Sequence, residues 1–181
     1  GDVDASVAPF VAAADLYAPE KDDGSIRPIA CGITLRRVAS KVAAEATKTQ
    51  SADLLAQTGQ YGVGVPSAAA ALSIALSSSI DSLESEVKFP VPPEWHPSLR
   101  RRELLKIDFK NAFNLVSRRV FLAEVWTHIP CLYAYVYMVY ASTPPYLFWG
   151  QFVLRSWTGS QQGDPLGALL FCLVLMKLLI I

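Results

Sequence analysis

Asp108 stands in the segment Lys106-Ile107-Asp108-Phe109-Lys110-Asn111-Ala112-Phe113, and a Gln162-Gly163 pair stands in Ser160-Gln161-Gln162-Gly163-Asp164-Pro165. A carboxylate on a rigid element offers the hard oxygens that a metal ion needs when it bridges an attacking hydroxyl and a nucleotide's phosphates. Gln162 carries both a donor and an acceptor for a sugar and a base pair, and Gly163 lets backbone approach a ligand closely. The pattern points to nucleotidyl transfer. Taken alone, a strand-end Asp is better explained as a helix cap or as the partner of a nearby Arg, because single acidic residues are weak motifs. Asp164 reads as a turn residue held extended by Pro165 rather than as a second ligand.

These residues need elements to hold them. Leu105, Ile107 and Phe109 alternate with Lys106, Asp108 and Lys110, which predicts a strand over 104–109 that delivers Asp108 from its end. A helix follows from Asn111 or Ser117 to Thr127, a second is opened by Pro130, a hairpin covers 146–154, and the turn at 160–165 runs into a buried helix. Upstream, the polar Gly-containing stretch at 19–25 predicts a hairpin tip. Thr34 can cap a helix with Leu35, Val38, Ala39, Val42, Ala43 and Ala46 on one face and Arg36, Arg37, Lys41 and Glu45 elsewhere. Residues 61–65 read as a glycine-loosened loop, and Pro66-Ser67 opens a helix through about Leu83 on Ala71, Leu72, Ala75, Leu76 and Ile80. Four prolines within 87–97 make an extended connector. Strands and helices do not alternate strictly, so the fold class is α+β.

The 181 residues are 52% apolar, enough for a real core, and no 20–50-residue repeat is present. Sixteen basic residues balance sixteen acidic ones, but unevenly. Residues 1–24 carry six acids against Lys21 alone, whereas residues 100–119 carry seven bases against Glu103 and Asp108. A basic block at Arg100, Arg101 and Arg102 beside a candidate Asp suits a polyanionic substrate, and a solvated cationic edge explains it as well. Cys31, Cys131 and Cys172 are widely spaced in apolar surroundings, which fits a reducing compartment and neither a disulfide framework nor a zinc site. His96 and His128 are isolated and read as structural. The uncharged run from Ile129 to Leu154 is broken by Pro144-Pro145 and Gly150-Gln151, and 166–181 is short and holds Lys177, so neither is read as a membrane span. The chain opens on Gly and closes on an apolar run, so it reads as a fragment.

In order along the chain, Arg27-Pro28-Ile29, Gln60-Tyr61-Gly62-Val63-Gly64-Val65, Ile107-Asp108-Phe109-Lys110-Asn111-Ala112-Phe113 and Gln162-Gly163-Asp164-Pro165-Leu166-Gly167 resemble the motifs of reverse transcriptases, particularly those of non-LTR retrotransposons. The resemblance covers roughly residues 20–175. It implies a truncated right-hand polymerase: a fingers-like lobe over 1–99 that includes the Pro-rich connector, and a partial palm over 100–181 with an interposed fingers segment at about 117–157. It further implies that Asp108 and the carbonyl of Phe109 bind Mg2+ and that Phe113 packs under the sugar and excludes a 2′-hydroxyl. The resemblance implies as well that Gln162 and Gly163 contact the incoming nucleotide and that Arg27 neutralises its triphosphate with help from Lys21 at the hairpin tip; a surface charge explains Arg27 equally well and Lys21 better. The implied partners are an RNA template, a DNA primer and deoxynucleoside triphosphates, in an intracellular setting that includes the nucleus. The family's further metal carboxylates come from an aspartate pair beyond Gln162-Gly163, and the only such pair here is Asp22-Asp23. This chain by itself is therefore expected to be inactive. The competing expectation is a non-catalytic remnant that binds nucleic acid or a partner protein.

Overall fold

The computed structural model describes residues 4, 6–86, 107–141 and 143–179. By packing, residues 1–64 and 111–181 form one compact unit and 65–110 another. The expected boundary at 99/100 and the Pro-rich connector lie outside the described residues.

Two hairpins build the first unit's sheet. β1 (Ala14–Tyr17) and β2 (Ile29–Gly32) are antiparallel, with Ala14 opposite Gly32 and Tyr17 opposite Ile29. Their ladder is prolonged by a Glu20–Ile26 bridge. The predicted tip closes at 21–25: Gly24, at φ +75°, donates to Lys21 O at 2.9 Å, and Asp23 accepts from the Ser25 amide and hydroxyl. β3 (Tyr146–Trp149) and β4 (Phe152–Arg155) form the second hairpin around Gly150, whose φ of +57° suits the first central position of a two-residue turn. β1 and β3 run parallel, which joins the hairpins in the order β2-β1-β3-β4.

The helices make the core. α1 (Ala8–Val11) leads into β1, and α2 (Thr34–Ala46) and α3 (Lys48–Ala56) follow β2. After the short α5 (Ala112–Leu115), Ser117 caps α6 (Arg118–His128) by accepting from Val120 N. Pro130 opens α7 (Pro130–Tyr140) where its missing N–H costs nothing, and α8 (Gly167–Leu179) follows the turn after Pro165. Phe121, Val125, Ile129, Val136, Leu170 and Leu173 are fully buried where α6, α7 and α8 meet, and Leu55 joins them from α3. Each such side chain contributes about 1.5–3 kcal/mol by burial. Glu124, 5% exposed, ties α6 to α8 through Lys177 at 2.8 Å, and it also faces His128 at 3.4 Å.

The unit of residues 65–110 contains α4 (Ala68–Glu86). It begins two residues later than Pro66 because Ser67 takes a left-handed φ of +56°. In all, the described residues form a mixed α+β structure of eight helices and one four-stranded mixed sheet. None of those helices is long and apolar enough to cross a membrane.

Besides the cap expected of Thr34, which instead lies inside α2 after an N-cap Ile33 that makes no side-chain bond, three features differ from the sequence reading. Residues 107–109 are not a strand, and the rest of the expected strand, 104–106, lies outside the described residues; alternation by itself does not make a strand, because a strand also needs a ladder of backbone bonds. Residues 48–56, read as no element, are helical. The third difference lies in α2, whose apolar stripe faces out: Leu35, Val38 and Val42 are exposed, while Arg36 and Ser40 are buried. The inward face instead runs Arg36, Ser40, Ala43 and, at the C-cap, Thr47, whose spacing is equally helical; all but Arg36 are small.

Candidate functional site: the Gln162-Gly163 turn

The turn after β4 is packed between segments remote in sequence. On one side it continues the sheet: Ala30 of β2 donates its amide to Gln162 O at 2.9 Å. Gly163 sits at φ +129°, and a Cβ there would lie 2.6 Å from Ala30 O, so only glycine fits. The close approach that this glycine makes in the structure is to strand backbone. On the other side the turn meets α5. Ser160 N donates to Phe113 O at 2.8 Å, and Thr158 Oγ1 donates to Asn114 O at 3.2 Å. Gly159, at φ +69°, leaves the space a Cβ would need to the Phe113 and Asn114 carbonyls. The Phe113 ring is half-buried against Phe171 of α8, with centroids 5.9 Å apart.

Two arginines hold the turn from behind, and the sequence reading assigned neither that task. Arg36, 4% exposed, pairs with Asp164 at 2.7 Å and donates to Ala12 O and to Gln161 Oε1. Arg118 donates to the carbonyls of Ser156, Thr158 and Gly159 and to the Ser156 hydroxyl. Tyr140 lies between them, its ring centroid 5.8 Å from the Arg36 guanidinium carbon and 5.3 Å from that of Arg118. The Tyr140 hydroxyl donates to Asp164 Oδ2 at 2.6 Å and accepts from Gln161 N at 3.2 Å.

The electrostatics follow from burial. Desolvation opposes the charge on Arg36, but Tyr140 and Asp164 outweigh it and its pKa is raised. Burial, and then the Asp164 charge, push the Tyr140 hydroxyl well above the usual phenol range. Arg118 is lowered by burial, against the opposing effect of Tyr140. Asp164 is therefore an anchor in an internal ion pair and not an open turn residue. Arg118 carried one legible signal, since a cation in the first turn of a helix opposes the macrodipole and needs acceptors elsewhere. Nothing local separates Arg36 from its exposed neighbour Arg37.

Of the residues singled out in the sequence, Phe113, Gln162 and Gly163 come together here, with Gln162 half-exposed. Arg27 lies just before β2, exposed, its amide donating to Pro19 O at 2.9 Å. Asp108 and Phe109 belong to the 65–110 unit and are exposed. Arg100, Arg101 and Arg102 lie outside the described residues. Magnesium takes oxygen ligands in near-octahedral geometry, usually with one or two carboxylates. Among the described residues no three His, Cys, Asp or Glu side chains cluster to hold a metal, so these residues do not by themselves complete such a site.

Beside the turn, a groove of about 460 Å³ runs between α2, α3 and the start of α8. Lys41, Glu45 and Lys48 border it, and Ala44, Val63, Pro165 and Leu169 line it. Gln60 ties the neighbouring 61–65 loop to α8 by donating to Cys172 O at 3.1 Å.

No protein-family model, curated protein or solved structure matches this chain.

Proposed function

We propose that this chain is the fingers-and-palm part of an RNA-directed DNA polymerase in which Gln162, Gly163, Phe113 and Arg27 receive the incoming deoxynucleoside triphosphate. The observation that carries the reading is the convergence of three remote segments: Phe113, the turn at 160–163 and the strand at Ile29-Ala30, linked by the Ser160–Phe113 and Ala30–Gln162 backbone bonds. An aromatic ring, an amide with donor and acceptor, and a guanidinium match a sugar, a base pair and a triphosphate in turn. Lys41 and Lys48 at the border of the groove beside Pro165 support a contact with a phosphate backbone there, with Glu45 as the one acidic residue on that border. Arg100, Arg101 and Arg102 add positive charge for the template–primer duplex.

Asp108 supplies one metal carboxylate, and the remaining ones belong to parts of the polymerase outside this chain. With those carboxylates Asp108 would hold magnesium, which would supply stabilisation of charge on the transferring phosphoryl group. Phe113, Gln162 and Arg27 would hold the sugar, base and triphosphate.

The test is primer extension. A longer protein that joins this chain to an aspartate-pair hairpin should add deoxynucleotides on an RNA template in magnesium, while residues 1–181 alone extend no primer above background. Asp108→Asn should abolish incorporation, because it keeps size and removes charge. Phe113→Val should admit ribonucleotides by opening space under the sugar. Extension that survives Asp108→Asn overturns the reading.

A further inference from the structure

We infer that Arg36, Tyr140 and Asp164 are positioning residues that clamp both ends of the Gln162-Gly163 turn and so aim it at the incoming nucleotide; this rests on the polymerase reading above. Besides the Arg36 bonds to Ala12 O and to the Tyr140 hydroxyl, the bonds of the set land on the residues flanking the pair. Before it, Gln161 receives Arg36 Nη1 on its side-chain oxygen, and its amide donates to the Tyr140 hydroxyl. After it, the Asp164 carboxylate takes Arg36 Nη2 at 2.7 Å and the Tyr140 hydroxyl at 2.6 Å, while its other oxygen accepts from Leu166 N at 3.0 Å. The flanking groups are almost sealed from water, with side-chain exposures of 3% for Arg36 and 1% for Asp164. Gln162 between them remains half-exposed.

Energetics give the reason to assign a positioning role. Replacing a buried ion pair by apolar groups of similar volume is often neutral or stabilising, so fold stability alone does not account for this pair. What the pair provides is direction. A planar guanidinium donates along fixed lines, and two such lines plus the Tyr140 hydroxyl determine where residues 161 and 164 sit. The turn then meets a nucleotide without having to be ordered by it, which removes a cost from binding.

The experiment uses the full 181-residue chain and a fluorescent deoxynucleoside triphosphate with magnesium, read by anisotropy, together with amide hydrogen exchange at residues 30 and 164, whose amides donate to Gln162 O and Gln161 O. Arg36→Met combined with Asp164→Leu removes the clamp but leaves no unpaired charge. The double variant should melt close to the parent, bind nucleotide about tenfold more weakly and exchange those amides about tenfold faster. Tyr140→Phe, which keeps the ring, should shift both readouts the same way by less, and it carries the test if the double variant does not fold. Parental affinity and parental exchange in a folded variant overturn the clamp while leaving the polymerase reading intact. Failure of the unaltered chain to bind nucleotide saturably overturns the polymerase reading, and with it the nucleotide-positioning role. In that case faster exchange in the variants supports a clamp that only holds the turn, and unchanged exchange removes that too.

Discussion

Tyr140 concentrates the energetics of the turn in one side chain. Two guanidinium groups face its ring, contributing about 0.5–2 kcal/mol each when desolvated. Its hydroxyl is a donor that the buried Asp164 carboxylate needs. Because the folded state raises the Tyr140 pKa well above the ordinary value of 10.0, the hydroxyl stays neutral in the folded chain where it ionises in the unfolded one. The folded state then binds more protons, so its stability is fully present below about pH 10 and falls as pH rises beyond it. Melting scans between about pH 8 and 11.5 should show a steeper alkaline loss for the parent than for Tyr140→Phe. Coincident slopes would mean that this hydroxyl is open to water. Arg36, Arg118 and Asp164 surround it in both proteins, so the difference between the two curves isolates the phenol.

At the scale of elements, α2 is the informative case. An apolar stripe ordinarily marks the buried face of a helix, yet here hydrogen bonds and an ion pair choose the face. Ser40 is fully buried and shares a 2.8 Å bond with the Tyr135 hydroxyl, which also donates to Arg36 O. Ser40→Val leaves a partly buried hydroxyl short of a partner and should cost about 1–3 kcal/mol. Leu35→Lys, on the exposed stripe, should change stability by no more than about 0.5 kcal/mol. Urea unfolding of the two variants decides, and the reverse ranking would mean that the helix is turned the other way in solution.

The molecule's main core draws on both ends of the chain. Ala12 and Leu55 come from residues 1–64 and the rest of the buried cluster from 111–181. A unit that closes its own core should fold without the residues between. Joining Gly64 to Asn111 by a Gly/Ser linker of about 16 residues, which spans roughly 20 Å on average, should give a protein that unfolds cooperatively. Broad, non-cooperative melting would show that residues 65–110 are needed for that core. At this same scale the zero net charge carries little information, because the acids and bases are segregated along the chain.

The sequence by itself determined the features that short-range physics controls. Pro130 opens α7, glycine-containing tips at Gly24 and Gly150 close the two hairpins, and the turn after Gln162 leads into a buried helix, each as read, and of the two starts offered for α6 the structure takes Ser117, which caps it. A cap, a fixed φ or a left-handed turn depends on neighbours within about four residues, so one sequence window holds the answer. The tertiary structure alone decided the pairings: β1 beside β3 in parallel, Arg36 with Asp164 across 128 positions, and Arg118 with the carbonyls at 156–159. It also decided that residues 107–109 are not extended into a strand despite their alternation. The candidate site divides the same way, since Phe113, Gln162 and Gly163 were legible as types but the groups that fix them were not. A pairing depends on which distant surface arrives opposite a side chain, and Arg36 and Arg37 offer identical chemistry until one of them meets a buried carboxylate.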